Sequence, residues 1–218
     1  MGHYEKNWTI TKSLLICGIA ATVLYIGTDI LAATLLPGYS YLNQAVSELS
    51  VIGAPTRPQW LAMSFVFNPL LIAFGIGVWR AAGDRRPLRI AGILLAVWGI
   101  VGLLWLPFPM HARGAERTFS DTMHLVMTGV TVLLMTIFIS FGSGANGKWF
   151  RIYSILTIVL MYGFGILTSL QATDIDTGPT PWMGAYERVT VYAPMVWILV
   201  LSVILLRGHA AQTEPAVE

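Results

Sequence analysis

The sequence predicts an all-α polytopic membrane protein: a bundle of six transmembrane helices with a short amphipathic helix on its outer face. Three observations carry that reading. Hydrophobic residues make up 56% of the chain and charged residues only 11%, an imbalance that a water-soluble domain does not show. The apolar residues gather into separated runs of about 20, the length a helix needs to cross a hydrocarbon core of about 30 Å. Short alternating segments, which a transmembrane barrel requires, are missing from the sequence, and helices and closed barrels are the structures that satisfy their backbone inside lipid.

In order, the expected spans are 12–36, 59–80, 88–108, 122–141, 151–172 and 188–207, within one integral membrane domain, 1–218. The first run, Ser13 to Leu36, is too long and too poor in a small-residue cleavage pattern for a removable signal peptide, so it is expected to remain as a helix. Lys6 stands where a myristoylation signal has Ser or Thr. The single Cys17 forms no internal disulfide and supplies no thiolate cluster. Asn68-Pro69 in the second span and Pro194 in the sixth predict kinks. RPLRIAGILLAVWGI and KWFRIYSILTIVLMYG, each after a short basic turn, echo one another as duplicated hairpins would. Ser154, Thr157, Thr168 and Gln171 in the fifth span read as groups that bond their own backbone or a neighbouring helix.

Lys and Arg near span ends stay on the cytoplasmic side. One set of connections carries Lys6, Lys12, Arg80, Arg85, Arg86, Arg89, Lys148, Arg151 and Arg207; the other carries Arg57, Arg113, Arg117 and Arg188. Both termini are therefore expected inside. Trp60, Trp105 and Trp182 fall at the outer boundary and Trp79 and Trp149 at the inner one, while Trp98 and Trp197 read as packing residues. The net charge of +2 is spread along helix ends, which excludes a nucleic-acid surface and leaves membrane lipids as partners.

Asp29 is the carboxylate of the first apolar run. A charge at membrane depth costs a few kcal/mol, so Asp29 implies a polar pocket, about 10 Å below the outer end of its helix at 1.5 Å per residue. Arg57, Arg188 and His124 are its candidate partners. In PGYSYLNQAVSELSVIGAPTRP, Leu42, Ala45, Val46 and Leu49 recur at helical spacing, with Ser40 as N-cap and Gly53 and Pro55 closing. This predicts the amphipathic helix, either an interfacial anchor or a lid that offers Gln44, Ser47 and Glu48 to the bundle. In PFPMHARGAERTFSDTMHLVMT, Asp121 and His124 are three apart and share a face, which Thr128, Thr131 and Met135 continue inward. They read either as an acid–imidazole pair or as a helix cap beside a boundary histidine; His111 is close enough to join them. In ATDIDTGPTPWMGAYER, Asp174 and Asp176 read as solvated acids. Glu187 and Arg188 diverge by about 100° around the sixth helix, so one of them reaches the site.

PGYSYLNQAVSELSVIGAPTRP, WRAAGDRRPLRIAG, FPMHARGAERTFSDTMH, KWFRIYS and PTPWMGAYERV together resemble a six-helix bacterial and archaeal membrane family, domain of unknown function 998, over nearly the whole chain. The resemblance rests on Ser47-Glu48-Leu49, Gly53, Arg57, Phe108-Pro109 and His124. His111 stands where the family pattern has an acid. The resemblance implies the fold and a prokaryotic plasma-membrane location, and carries no activity.

Three function classes follow. The first is a binder, sensor or accessory protein that takes a lipid or small amphiphile in an outward pocket built from Asp29, Ser47, Glu48, Arg57, His111, Asp121, His124, Thr128, Glu187 and Arg188. The second is an intramembrane hydrolase or transferase in which Asp29, Glu48, Asp121 and His124 share acid and base duties. The third, a proton-coupled transporter, is disfavoured by the scarcity of ionisable residues in the inner helix halves. Two outer histidines exclude a three-histidine metal centre; neither a metal nor another cofactor is expected.

Overall fold

The computed structural model describes the backbone of residues 2–172 and 178–213 and the side chains of 8–172 and 178–208. Its α-helices are α1 (Gly2–Leu35), α2 (Arg57–Ala81), α3 (Arg86–Leu104), α4 (Phe119–Gly142), α5 (Gly147–Ala172) and α6 (Met183–Thr213), and 3₁₀ turns occupy Val46–Ser50 and Ser143–Asn146. Every regular element among the described residues is helical. Five stretches are long and apolar enough to cross a membrane: Trp8–Leu35, Arg57–Ala81, Arg86–Leu104, Phe119–Ala172 and Met183–Gly208. The fourth, at 54 residues, contains both α4 and α5. The protein is a multipass membrane protein.

Local chemistry explains where the helices begin. Pro58 and Pro87 stand in the first turns of α2 and α3, where a missing N–H costs nothing. Thr118 caps α4, and Asp121 returns a bond to the Thr118 N–H. The helices run further than hydropathy alone suggests. α1 starts about ten residues before its expected span and α6 five before its own, because helical hydrogen bonding does not stop where the apolar run does. α2 and α6 continue unbroken through Pro69 and Pro194.

Helices α1 and α6 meet along a seam with a seven-residue repeat, the spacing that keeps one stripe of a helix facing its partner. Ser202 Oγ donates to the Leu15 carbonyl, Thr22 Oγ1 to the Met195 carbonyl at 2.9 Å, and Arg188 pairs with Asp29. On the other side of α1, Gly18 lies against the Phe74 ring of α2, and Arg80 Nε donates to Thr11 Oγ1 at 3.1 Å. The α2–α3 approach is closer still. A Cβ added to Gly92 would lie 2.6 Å from Trp79 N, and one added to Gly75 would lie 2.5 Å from Gly92 O.

The core is an aromatic ladder. Tyr25 of α1 meets Phe67 of α2 at 5.3 Å between ring centroids, Phe67 meets Trp98 of α3 at 6.0 Å, and Trp98 meets Phe138 of α4 at 5.5 Å. Phe138 then meets Trp197 of α6 at 5.8 Å, and Trp197 meets Phe150 of α5 at 5.6 Å. Rings at such spacings add packing energy beyond their buried area, and one ladder thereby joins all six helices. Trp197 Nε1 donates to Ser154 Oγ at 2.8 Å, so a hydroxyl of α5 serves α6. Thr157 and Thr168 bond their own helix instead. Outward, Val23, Phe65, Ile93, Leu133, Ile155 and Leu170 are exposed, as residues that face acyl chains must be.

The segment expected to form an amphipathic helix takes another form. Only Val46–Ser50 is helical, as a 3₁₀ turn, with Leu42 exposed and Val46 and Leu49 buried. Its ends are already occupied: Glu48 Oε1 accepts from Ala45 N at 2.7 Å, while Thr56 Oγ1 and Arg57 Nη1 donate to the Leu49 and Ser50 carbonyls at 2.6 and 2.7 Å. Those bonds close the segment after a single turn. Ser40 does not cap it; its carbonyl accepts from the Gln44 N–H at 2.8 Å in a separate turn.

Replacing Gly92 with Leu forces α2 and α3 apart, because the opposing atoms are backbone. The expected cost is about 1–3 kcal/mol, read as a lowered melting temperature of the purified protein, whereas Gly129→Leu, with nothing within 4 Å of the added Cβ, leaves the melt unchanged.

Candidate functional site

Connections 36–56, 105–118 and 178–182 meet at one end of the bundle. Ile52 N donates to the Met110 carbonyl at 2.9 Å, and Thr180 Oγ1 and Trp182 N donate to the Asn43 carbonyl and side-chain Oδ1 at 2.7 and 3.0 Å. This polar end carries three ionic clusters.

The deepest is Asp29 with Arg188, 0% and 4% exposed. Arg188 Nε and Nη2 each lie 2.9 Å from a different carboxylate oxygen, a two-pronged pairing that matches the planar fork of a guanidinium. Tyr192 and Tyr41 donate to Asp29 Oδ2, the latter at 3.4 Å, and their hydroxyls lie 2.9 Å apart. Arg188 Nη2 reaches Tyr39 Oη at 2.8 Å, and Nη1 reaches the Tyr41, Gln44 and Gly184 carbonyls at 2.6, 3.3 and 3.2 Å. The guanidinium carbon also sits 3.5 Å from the centroid of the Tyr41 ring, a cation–π contact. Burial pushes the Tyr39 hydroxyl above its ordinary pKa, against the lowering effect of Arg188. It donates to the Gln44 and Ala45 carbonyls.

The second cluster is nearer the surface. Arg113 Nε and Nη2 grip Glu48 at 2.6 and 2.7 Å, and Gln44 Nε2 donates to Glu48 Oε2 at 3.1 Å. Gln44 therefore touches both clusters, through its carbonyl to Arg188 and through its side chain to Glu48. Glu187 accepts from the Val46 N–H, fastening the 3₁₀ turn to the N-terminal part of α6. Beside this cluster lies an open groove of about 440 Å³, with Leu36, Val51, Ile52 and Ala54 as its apolar lining and Gln44, Glu48 and Arg113 as its polar one.

The third cluster lies on the 105–118 connection and the start of α4. Asp121, 2% exposed, accepts from His111 N at 2.8 Å and from Thr118 N at 2.8 Å. Its Oδ2 lies 2.9 Å from His111 Nδ1. His124 instead has Nδ1 3.2 Å from the Phe108 carbonyl and packs edge-on against Trp105 at 4.4 Å. Among the described residues, no three His, Cys, Asp or Glu side chains group as a metal site.

The family pattern described as "Protein of unknown function (DUF998)" matches residues 19–204. The chain belongs to the DUF998 family. It is also similar to proteins named H(+)/Cl(-) exchange transporter ClcA from Vibrio vulnificus, 32% identical over 148 residues, and from Vibrio parahaemolyticus, 31% identical over 151 residues. Those matches cover 62% of this chain and 31% of the relatives, so the chain spans about a third of the length of the curated relatives it matches. No solved structure matches it.

In this DUF998 protein the fold divides the sequence-derived residues among separate places. Asp29, Glu48, Glu187 and Arg188 converge through Gln44 and the 3₁₀ turn; of the three partners considered for Asp29, Arg188 takes it. Arg57 serves the Ser50 carbonyl, and Ser47, half-buried, accepts at its carbonyl from Ser50 Oγ at 3.1 Å. Asp121 and His124 share a face of α4 without bonding to each other: the capping geometry and the His111 ring take the carboxylate, as described above. Along the stripe from His124, Thr128 is exposed, with Oγ1 on the His124 carbonyl at 2.9 Å, Thr131 is half-buried and Met135 is buried. Asp174 and Asp176 lie outside the described residues. The sequence reading passed over Tyr39, Tyr41, Tyr192 and Arg113. Tyr192 follows Arg188 by one helical turn, a spacing that places both on one face; Tyr39, Tyr41 and Arg113 come from loops and leave no periodic signal.

Breaking the buried pair with Asp29→Leu strands the Arg188 charge and is expected to cost about 3–5 kcal/mol, a melting-temperature drop on the order of 10 °C. Asp84→Leu, at the exposed Asp84–Arg89 contact, shifts the melt little. Asp29→Leu combined with Arg188→Met recovers only part of the loss: no charge is stranded, but the Tyr41, Gln44 and Gly184 carbonyls still lose their donor. Gly184→Ala provides an independent measurement: its Cβ would lie 2.2 Å from the Gln44 carbonyl oxygen, so a lowered melting temperature is expected there too.

Proposed function

We propose that this protein spans a prokaryotic plasma membrane six times with both termini inside, and that its outer end binds a lipid or small amphiphile as a binder, sensor or accessory protein. The supporting observation is the groove beside Glu48 and Arg113. Its apolar wall suits a hydrocarbon chain, and its carboxylate–guanidinium pair, with side chains 8% and 26% exposed, suits a polar headgroup. Sites for small molecules combine these features: a mostly apolar lining with a few fixed polar groups. Asp29 and Arg188 support the groove from beneath through Gln44, while His111 and Asp121 hold the adjoining loop.

Two other readings draw less support from the geometry. Acid–base catalysis shared by Asp29, Glu48, Asp121 and His124 needs those groups at one reacting atom, and they are divided among three clusters. Exchange of the kind named for the Vibrio relatives needs ionisable groups along the membrane depth, and the ionic clusters described above gather at one end.

Arg113→Ala is expected to reduce the amount of co-purifying lipid, read by native mass spectrometry, by roughly tenfold or more, the loss of one charged hydrogen-bonding group. Retention equal to wild type removes the groove from consideration. Orientation is checked separately with an impermeant thiol reagent on intact cells in a Cys17→Ser background. A cysteine at position 116 should label and one at position 85 should not; the reverse pattern overturns the assignment of the polar end to the outside.

A further inference from the structure

We infer that Trp60 of α2 and Tyr25 of α1 together hold a neutral hydrogen-bond acceptor oxygen, supplied by a water molecule or by the ester carbonyl of a lipid. Trp60 is only 7% exposed, and its Nε1 is buried with no hydrogen-bond partner among the described residues. An indole N–H can only donate, and a buried donor without an acceptor carries its whole desolvation cost, so native proteins rarely keep one. Next to it stands a second donor, less deeply buried. The Tyr25 ring meets the Trp60 ring edge-on, with centroids 5.6 Å apart, and the half-buried Tyr25 hydroxyl makes no hydrogen bond among the described residues. Tyr39, Tyr41 and Tyr192, at the same end of the bundle, all do.

The surroundings select the chemistry of the guest. Tyr25 lies near Asp29 and Arg188, and that guanidinium already grips Asp29 with both its Nε and Nη2, so among the described residues no free cation is there to hold an anion beside the Asp29 carboxylate. This disfavours an anion, and an indole N–H repels a cation. A neutral oxygen meets both conditions. Water accepts from Trp60 while exchanging a bond with the Tyr25 hydroxyl, within the two to four partners a buried water takes. An ester carbonyl, with two lone pairs, accepts from both donors.

The competing arrangement is an N–H directed at the face of the Tyr25 ring, and the two differ in what the Tyr25 hydroxyl does. The full chain, ¹⁵N-labelled at its indoles and reconstituted in bilayers of ester-linked phosphatidylglycerol, gives the Trp60 Nε1–H resonance, assigned by its loss in Trp60→Phe. A downfield resonance that shifts in Tyr25→Phe, which keeps the ring and removes the hydroxyl, is expected. An upfield resonance that is unmoved in Tyr25→Phe overturns the proposal. Bilayers of the diether analogue, which has no carbonyl, separate the sources: a resonance that moves there identifies the lipid ester, and one that stays downfield identifies water. The melting temperature of Tyr25→Phe needs no Trp60 variant. A fall of several degrees is expected if the hydroxyl anchors an oxygen, and an unchanged melt contradicts it.

Discussion

The polar end of this protein is organised around the buried pairing of Asp29 and Arg188. Removing two charges from water is expensive, and their attraction repays it only with good geometry and further hydrogen bonds. Both are present: two parallel N–H donors meet two carboxylate oxygens, two tyrosines complete the acid, and a third tyrosine with three carbonyls completes the guanidinium. Because those carbonyls belong to Tyr41, Gln44 and Gly184, the ion pair holds the 36–56 connection against α6 as well as joining α1 to α6. The Gln44 carbonyl comes so near Gly184 that a side chain there has no room.

From that pair the polar contacts pass outward in steps. Gln44 leads to Glu48, Glu48 to Arg113, and Arg113 stands in the same loop as His111, which Asp121 holds against α4. Exposure rises from the Asp29–Arg188 pair through Glu48 to Arg113, and those last two lie beside an apolar groove. Below the pair, α1 and α6 meet through single hydroxyl–carbonyl bonds and the six helices through aromatic rings. The bundle thus combines a neutral, lipid-facing body with one end at which buried charges are extensively bonded to one another.

The sequence announced Asp29 through the contrast of one carboxylate with a long apolar run, and the fold confirms that it is buried and paired. It reduced the partner to three candidates and could go no further, since Arg57, Arg188 and His124 all lie near the same membrane boundary. The relation of Asp121 to His124 went differently. A spacing of three does place two side chains on one face, but an acid at the third position of a helix is within reach of the cap N–H, and the residue that came to meet it, His111, lies in a loop whose path has no periodicity. The short amphipathic helix was misjudged for a similar reason: helical spacing was present, yet Thr56 and Arg57 take the carbonyls that a longer helix would have used.

What the sequence determined by itself was the solvent of the fold and its consequences: lipid-facing helices, their approximate extents, and the gathering of acids and arginines in particular connections. These follow from composition and period, which are local properties of the chain. What the tertiary structure decided was the pairing. Arg188 and Asp29 are 159 residues apart and Arg113 and Glu48 are 65 apart, and each pair forms because helix packing and loop closure bring two distant backbones to one point. Charge and hydrogen-bonding capacity are written residue by residue; which donor meets which acceptor depends on close approaches such as Gly18 to Phe74, Gly92 to Trp79 and Gly184 to Gln44, and those exist only once the helices have packed.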